Sequence, residues 1–372
     1  MKKILIFALL SSLSLSVLAQ RADPIPMTQE EYVRFLYEVE QTPSKMDKLV
    51  ESVRLRGIGF KLTRGLRTLT KSKTRNNDEL FRTIEEAERR RENPAAAKRP
   101  STAEALSLVE RTRTNTLEAV DEMPDFVVKQ RIRRSVSVAG TNNFRGLDRL
   151  IVAVSYRADG REEYRLLSKN GVQNDEARQK SNYSEAGGTS STGEFVTVLS
   201  TLFKPESMTK FEFVDTDLLR GRNTLVFDFW IAKEKARQQI TSYGYIADST
   251  ISGMSGRVWI DREKARVLRL DSKATEIPVD FPVTAASRLI DYDWVSISEE
   301  SYLLPMASDV RLTFRESPRM YESKNSIEFK DYQKYGTEVE ILDDDTEFIE
   351  DPGPPALKGG PPPLKKPANQ KN

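Results

Sequence analysis

From Gly256 to Ser272 the chain alternates apolar and polar residues on either side of a charged turn, in the order Gly-Arg-Val-Trp-Ile-Asp-Arg-Glu-Lys-Ala-Arg-Val-Leu-Arg-Leu-Asp-Ser. Period-two alternation of this kind predicts a half-buried antiparallel hairpin, with Val258 and Ile260 facing one way and Leu268 and Leu270 as their partners. Most of the chain after Asp125 repeats the pattern. Phe126–Val138 reads as a first long strand whose even positions Phe126, Ile132, Val136 and Val138 are apolar, and Leu150, Val152, Val154 and Tyr156 share a face of the next. Asp159-Gly160 turns that strand into a third at 163–168. Further strands are expected around Phe211–Phe213, Thr224–Trp230, Arg288–Ile297, Ser308–Phe314 and Asn325–Tyr332. The polar, glycine-rich stretch from Asn170 to Thr192 reads as a loop, and Gly193–Phe203 as a short helix lying on the sheet through Phe195, Leu199 and Leu202.

Ahead of these strands the spacing changes to threes and fours. Tyr32, Phe35, Leu36 and Val39, then Met46, Leu49, Val50 and Val53, mark helices, with Leu66, Leu69, Leu80, Phe81 and Ile84 continuing a small core. Thr28-Gln-Glu-Glu31 and Ser101-Thr-Ala-Glu104 are capping boxes, and Gly57 stops the second helix. The fold class expected is α+β: a small N-terminal helical module, then a curved antiparallel β-sheet covered by one or two helices. Sequential strands joined by short turns must curl or cover their edges to stay soluble. The boundaries expected are a signal peptide at 1–19, the helical module at 20–92, a linker at 93–100, the β domain with its leading helix at 101–342, and an acidic then Pro/Lys-rich disordered tail at 343–372.

The first nineteen residues carry two lysines, a short apolar run and Val17-Leu18-Ala19, the order of a cleaved export signal. A periplasmic or secreted protein is therefore expected, and with no cysteine at the cut it is not expected to be lipid-anchored. The 372 residues contain neither cysteine nor histidine. That removes disulfides, thiolate chemistry, Ser-His-Asp triads and most zinc sites, so a non-enzyme without metal or cofactor is expected. An enzymatic reading would rest on scattered carboxylates, Asp228, Asp261, Asp291 and Asp293. The formal net charge of +2 hides a basic stretch from Arg54 to Arg134 and an acidic one between Asp291 and Asp351.

Several phrases together resemble a family of uncharacterised exported bacterial proteins: Met123-Pro-Asp-Phe-Val127 with Gln130 and Arg133-Arg134, Gly256–Asp261, Val267–Leu270, Ile290–Asp293 with Tyr302–Pro305, and Asn325–Phe329 with Tyr332. The resemblance covers roughly residues 101–342. Its fold is similar to the LolA-like half-barrel of lipoprotein carriers, in which a curved antiparallel sheet holds an apolar cavity plugged by helices. The resemblance implies no catalytic residues. It does imply an apolar ligand, a lipid or a lipoprotein acyl chain, and the lining expected is Phe227, Phe229, Val258, Ile260, Leu268, Leu270, Leu312 and Phe314, with Tyr292 and Trp294 near a mouth. The same residues equally suit a closed core. The alternative is an interaction protein whose basic helices and Pro/Lys-rich tail contact an envelope protein or an anionic polymer. Peripheral membrane contact fits either reading, and no nucleic-acid partner is expected.

Overall fold

A computed structural model describes residues 25–173, 193, 195–243, 247–316 and 318–335. The stretches expected to form an export signal at 1–19, most of a loop at 170–192 and a tail at 343–372 lie outside the described residues. The chain divides into two compact units, 1–94 and 95–372.

In the first unit four helices, α1 (Gln29–Gln41), α2 (Met46–Arg56), α3 (Arg64–Lys73) and α4 (Asp78–Glu92), enclose one core. Thr28 and Glu31 form the expected reciprocal cap, the Thr28 hydroxyl accepting from the Glu31 amide at 3.2 Å and the Glu31 carboxylate from the Thr28 amide at 3.0 Å. Gly57 ends α2 with φ +65°, a conformation that side chains resist. Behind it Ile58 forms a short parallel bridge to Met27, so that Ile58, Phe60 and Leu62 close the core over Tyr32, Leu36, Leu49, Val53 and Leu80. The buried Tyr32 hydroxyl shares a hydrogen bond of 2.8 Å with Thr70, and burial pushes its phenol up to about 12.

The second unit begins with α5 (Thr102–Asp121), capped by Ser101. Among the described residues twelve strands follow: β1 (Phe126–Val138), β2 (Arg145–Tyr156), β3 (Glu162–Lys169), β4 (Val172–Gln173), β5 (Lys210–Leu219), β6 (Arg222–Ile231), β7 (Gln238–Tyr243), β8 (Ala247–Asp261), β9 (Val267–Thr275), β10 (Val283–Ile297), β11 (Glu300–Glu316) and β12 (Arg319–Lys334). Between β4 and β5 lies α6 (Thr197–Phe203), and the single turn α7 (Lys233–Ala236) precedes β7.

All pairings are antiparallel, and the strand order is β4-β3-β2-β1-β12-β11-β10-β9-β8-β6-β5, with β7 added on β8. Apart from the β12–β1 pairing, strands on this path lie beside the strand next to them in the chain, or beside one separated only by β7. The first and last strands of the chain meet in the middle, so β4 and β5, consecutive in sequence, lie at opposite edges. The segment between them must cross one face of the sheet, and it carries α6 onto that face.

The same segment shows that the sheet curls. Phe195 touches Phe126 on β1 and Tyr156 on β2, with ring centroids at 5.4 and 6.4 Å, while Phe203 stacks on Phe211 of β5 at 5.5 Å. A flat sheet would hold β2 and β5 eight spacings, or roughly 38 Å, apart. From Phe195 to Phe203 the backbone spans only about 16 Å, and that segment bridges the two flanks of the curved sheet on one face. We call the face that holds α5 and α6 the concave face.

The anchoring hairpin departs in one respect from its alternation. A β-bulge between Trp259 and Ile260 pairs Val258 with Leu270 but Ile260 with Val267. Val267 and Leu270 therefore join the concave core, and Leu268 packs instead with Trp259, Val226 and Leu219. Gly256 is required where these strands meet, because a Cβ there would stand 2.0 Å from the Asp271 carbonyl oxygen.

Candidate functional site

Cross-strand registers place the concave residues in transverse rows. One row runs Phe227, Val258, Leu270, Ile290, Ser308, Ile327, Ile132, Leu150 through eight strands, each neighbour directly paired with the next. Every member is at most 3 % exposed, and seven of the eight are apolar. The adjacent row, two residues along each strand, runs Phe229, Gly256, Ser272, Arg288, Val310, Asn325, Arg134, Asp148. From Ser272 onward it is polar except at Val310. The concave wall is thus stratified, an apolar band beside a polar band.

Helices α5 and α6 lie over the apolar band. Ala105, Leu108 and Val109 of α5 and Val198, Leu199, Leu202 and Phe203 of α6 pack against its β6–β10 half. Met123, Phe195 and Val196 cover the β1, β2, β11 and β12 half. Full burial of each Leu, Val or Phe contributes about 1.5–3 kcal/mol, so the cover is held mainly by apolar contact.

Polar ties fix α5 at the turn between β8 and β9. Arg262 donates to Glu104 at 2.7 Å and to the Lys98 carbonyl at 2.9 Å, Asn115 donates to the Ala265 carbonyl at 3.2 Å, and Arg266 donates to the Asn115 carbonyl. The Arg262 guanidinium holds the Glu104 carboxyl below its ordinary value. Asp261 shapes the turn by accepting from the Glu263 and Lys264 amides, each at 2.9 Å.

In the polar band Arg134 grips Asp148 with two bonds of 2.6 and 2.5 Å, their side chains only 4 % and 11 % exposed. Burial raises the Asp148 pKa, but the hydrogen bond and charge of Arg134, helped by Lys169, outweigh it and leave the carboxyl below its usual range. Deep in the apolar cluster, burial likewise pushes the Tyr156 phenol up to about 12.

Of the residues expected to line a ligand site, Phe227, Phe229, Val258, Ile260, Leu270 and Tyr292 converge in one buried cluster beneath α5 and α6. Leu268 belongs to the neighbouring cluster around Trp259. Leu312 and Phe314 lie farther along β11, half-buried around Ile240, Phe281 and Val283, and Phe314 stacks on Tyr321 at 6.2 Å. Trp294 is 39 % exposed. The carboxylates that an enzymatic reading would need are engaged in ion pairs: Asp228 with Arg257, Asp261 with Arg222, Asp291 with Arg269 and Arg220, and Asp293 with Arg220 at 3.8 Å.

One residue that lining logic passes over is Gln130. It lies on the Phe126, Val128 and Ile132 side of β1, between Phe329 of β12 and Val152 of β2. It is fully buried, and neither amide atom has a hydrogen-bond partner among the described residues. Its signal in the sequence is parity: a polar residue at an apolar position of an alternating strand.

No protein-family model matches the chain, and no curated protein matches it. Among solved structures it is similar to a LolA superfamily protein from Nitrosomonas europaea, with a TM-score of 0.31 and 10% identity over 63% of this chain and 97% of that one. It is also similar to a DUF1329 family protein from Desulfovibrio piger, with a TM-score of 0.27 and 9% identity over 64% of this chain and 97% of that one. A third likeness, to the MucA/MucB complex of Pseudomonas aeruginosa, has a TM-score of 0.17 and 9% identity over 60% of this chain and 94% of that one.

Proposed function

We propose that the second unit is a non-catalytic binding module of the cell envelope that takes an apolar chain, a lipid or the acyl part of one, on the concave face of its sheet. The observation that carries this reading is the stratified wall. An apolar band of this width, broken only at Ser308, suits a hydrocarbon chain, and the polar band beside it suits the chain's polar end. Helices α5 and α6 occupy the apolar band in the absence of ligand and compete with it. Phe227, Phe229, Val258, Ile260, Leu270 and Tyr292 would then meet the chain, with Leu268 supporting Trp259 behind the sheet. Leu312, Phe314 and Trp294, which are half-buried or exposed, would meet any part of the ligand that extends beyond the helical cover.

The test is native mass spectrometry with lipid extraction on the protein purified without its first nineteen residues, followed by displacement of a fluorescent fatty acid. A co-purifying acyl lipid and saturable displacement support the reading. A clean ligand-free mass in several mild preparations, with no displacement, overturns it.

A second reading is favoured by α3. Lys61, Arg64, Lys71 and Arg75 are all exposed, and no carboxylate occurs between Lys61 and Asn77. This stripe suits an anionic polymer or an acidic protein surface. Association through it weakens steeply with salt and survives substitutions in the concave wall. Salt-independent binding would exclude it.

A further inference from the structure

We propose that Gln130 is a ligand-recognition residue, whose side-chain amide pairs with a protonated carboxyl or an amide at the end of a bound acyl chain; this rests on the reading of the concave face as a ligand site. A buried polar group ordinarily finds a partner, because leaving it unmatched is unfavourable by more than a hydrogen bond returns. Gln130 is 0 % exposed, and both its Oε1 and its Nε2 are unmatched among the described residues. Its neighbours in register are Val152 and Phe329, and Val128 and Ile132 flank it on its own strand, so these four offer it no polar side chain. Leucine or methionine would fill such a position without penalty.

The geometry also limits the class of ligand. A primary amide presents one acceptor and one donor side by side. Its complement is a planar group with one donor and one acceptor, which a protonated carboxyl or another amide supplies and an ester does not. Apolar surroundings disfavour an ionised group, so a carboxylate or phosphate would enter only at the expense of its charge. The group that would give way is Phe195, which comes from outside the sheet and whose ring lies 5.5 Å from that of Phe329.

The test compares dodecanamide with methyl dodecanoate, both uncharged and of similar length, by calorimetric titration of the full chain and of Gln130→Leu. Wild type is expected to bind the amide roughly tenfold more tightly than the ester, the effect of one matched buried hydrogen bond. In Q130L the preference should vanish, ester affinity should persist, and the melting temperature of the ligand-free protein should rise. Gln130→Met, with similar length and no amide, replaces Q130L if the latter does not fold. Equal preference in wild type and variant overturns the assignment while leaving the binding site intact. A lowered melting temperature of the folded variant also overturns it, since Gln130 would then be satisfied by a buried water. Failure of wild type to bind either probe overturns the concave-site reading itself, and the role of Gln130 with it.

Discussion

Asp148 shows how a single side chain ties stability to pH. Its folded pKa lies below the ordinary value because Arg134 outweighs burial, so its contribution is complete above about pH 4 and is lost as pH falls through the folded value. Asp148→Asn removes the counter-charge that Asp148 presents to the buried Arg134 guanidinium and should lower stability by about 3 kcal/mol at pH 7, with a shallower acid slope below pH 4, both measurable by urea unfolding across pH. Gly256 gives a second residue-scale prediction. A methyl group there meets the Asp271 carbonyl oxygen at 2.0 Å, so Gly256→Ala should lower stability by about 1–3 kcal/mol in the same assay. Neither effect is legible in the sequence. Arg134 and Asp148 look like two solvent-facing charges on neighbouring strands until the register opposes them, and Gly256 looks like the start of a strand until β9 is placed against it. Gln130 was visible only as a break in parity.

At the scale of elements, alternation was a good guide wherever one face is apolar and the other charged. The bounds of β1 match the predicted run, the turn at Asp159-Gly160 joins β2 to β3, and a helix lies within 193–203 although it begins only at Thr197. Strand β7 was missed because Gln238–Tyr243 has one buried apolar residue, Ile240, and no alternation. The first half of β11 was hidden by Pro305, which the sheet accepts where the register shifts opposite Tyr292. Leu268 turned away from its expected partners because a bulge changes parity without changing composition. The helical cover supplies its own prediction. Asn115→Ala removes a tie between α5 and the β8–β9 turn, and should lower stability by about 1 kcal/mol. On the proposal that cover and acyl ligand compete for one face, the same variant should bind an acyl ligand more tightly by titration. Weaker binding would argue that the helices form part of the site.

For the whole molecule, the apolar clusters respect the boundary between the two units. Every buried member of the helical cluster lies before Pro94, and all members of the sheet clusters lie after Ala95. Residues 95–372 expressed alone should therefore fold, giving a β-type circular dichroism spectrum and a cooperative melt. An unfolded product would show that its core depends on residues 1–94. The α+β class, with helices first and an open antiparallel sheet after them, was legible from the change of periodicity alone. The strand order was not, since nothing local in Phe126–Val138 or Asn325–Tyr332 declares that these strands pair. That pairing sends the β4–β5 connection across the sheet and creates a covered concave face.

The central claim, that this face takes an acyl chain, is tested most directly by photo-crosslinking with a fatty acid bearing a diazirine near the middle of its chain, followed by peptide mapping. Light-dependent labels are expected on concave residues beneath the cover, such as Phe227, Val258, Ile132 and Phe195, and excess unlabelled ligand should suppress them. Labels confined to α1–α4 or to the opposite face of the sheet, or labelling that excess ligand does not suppress, would contradict it.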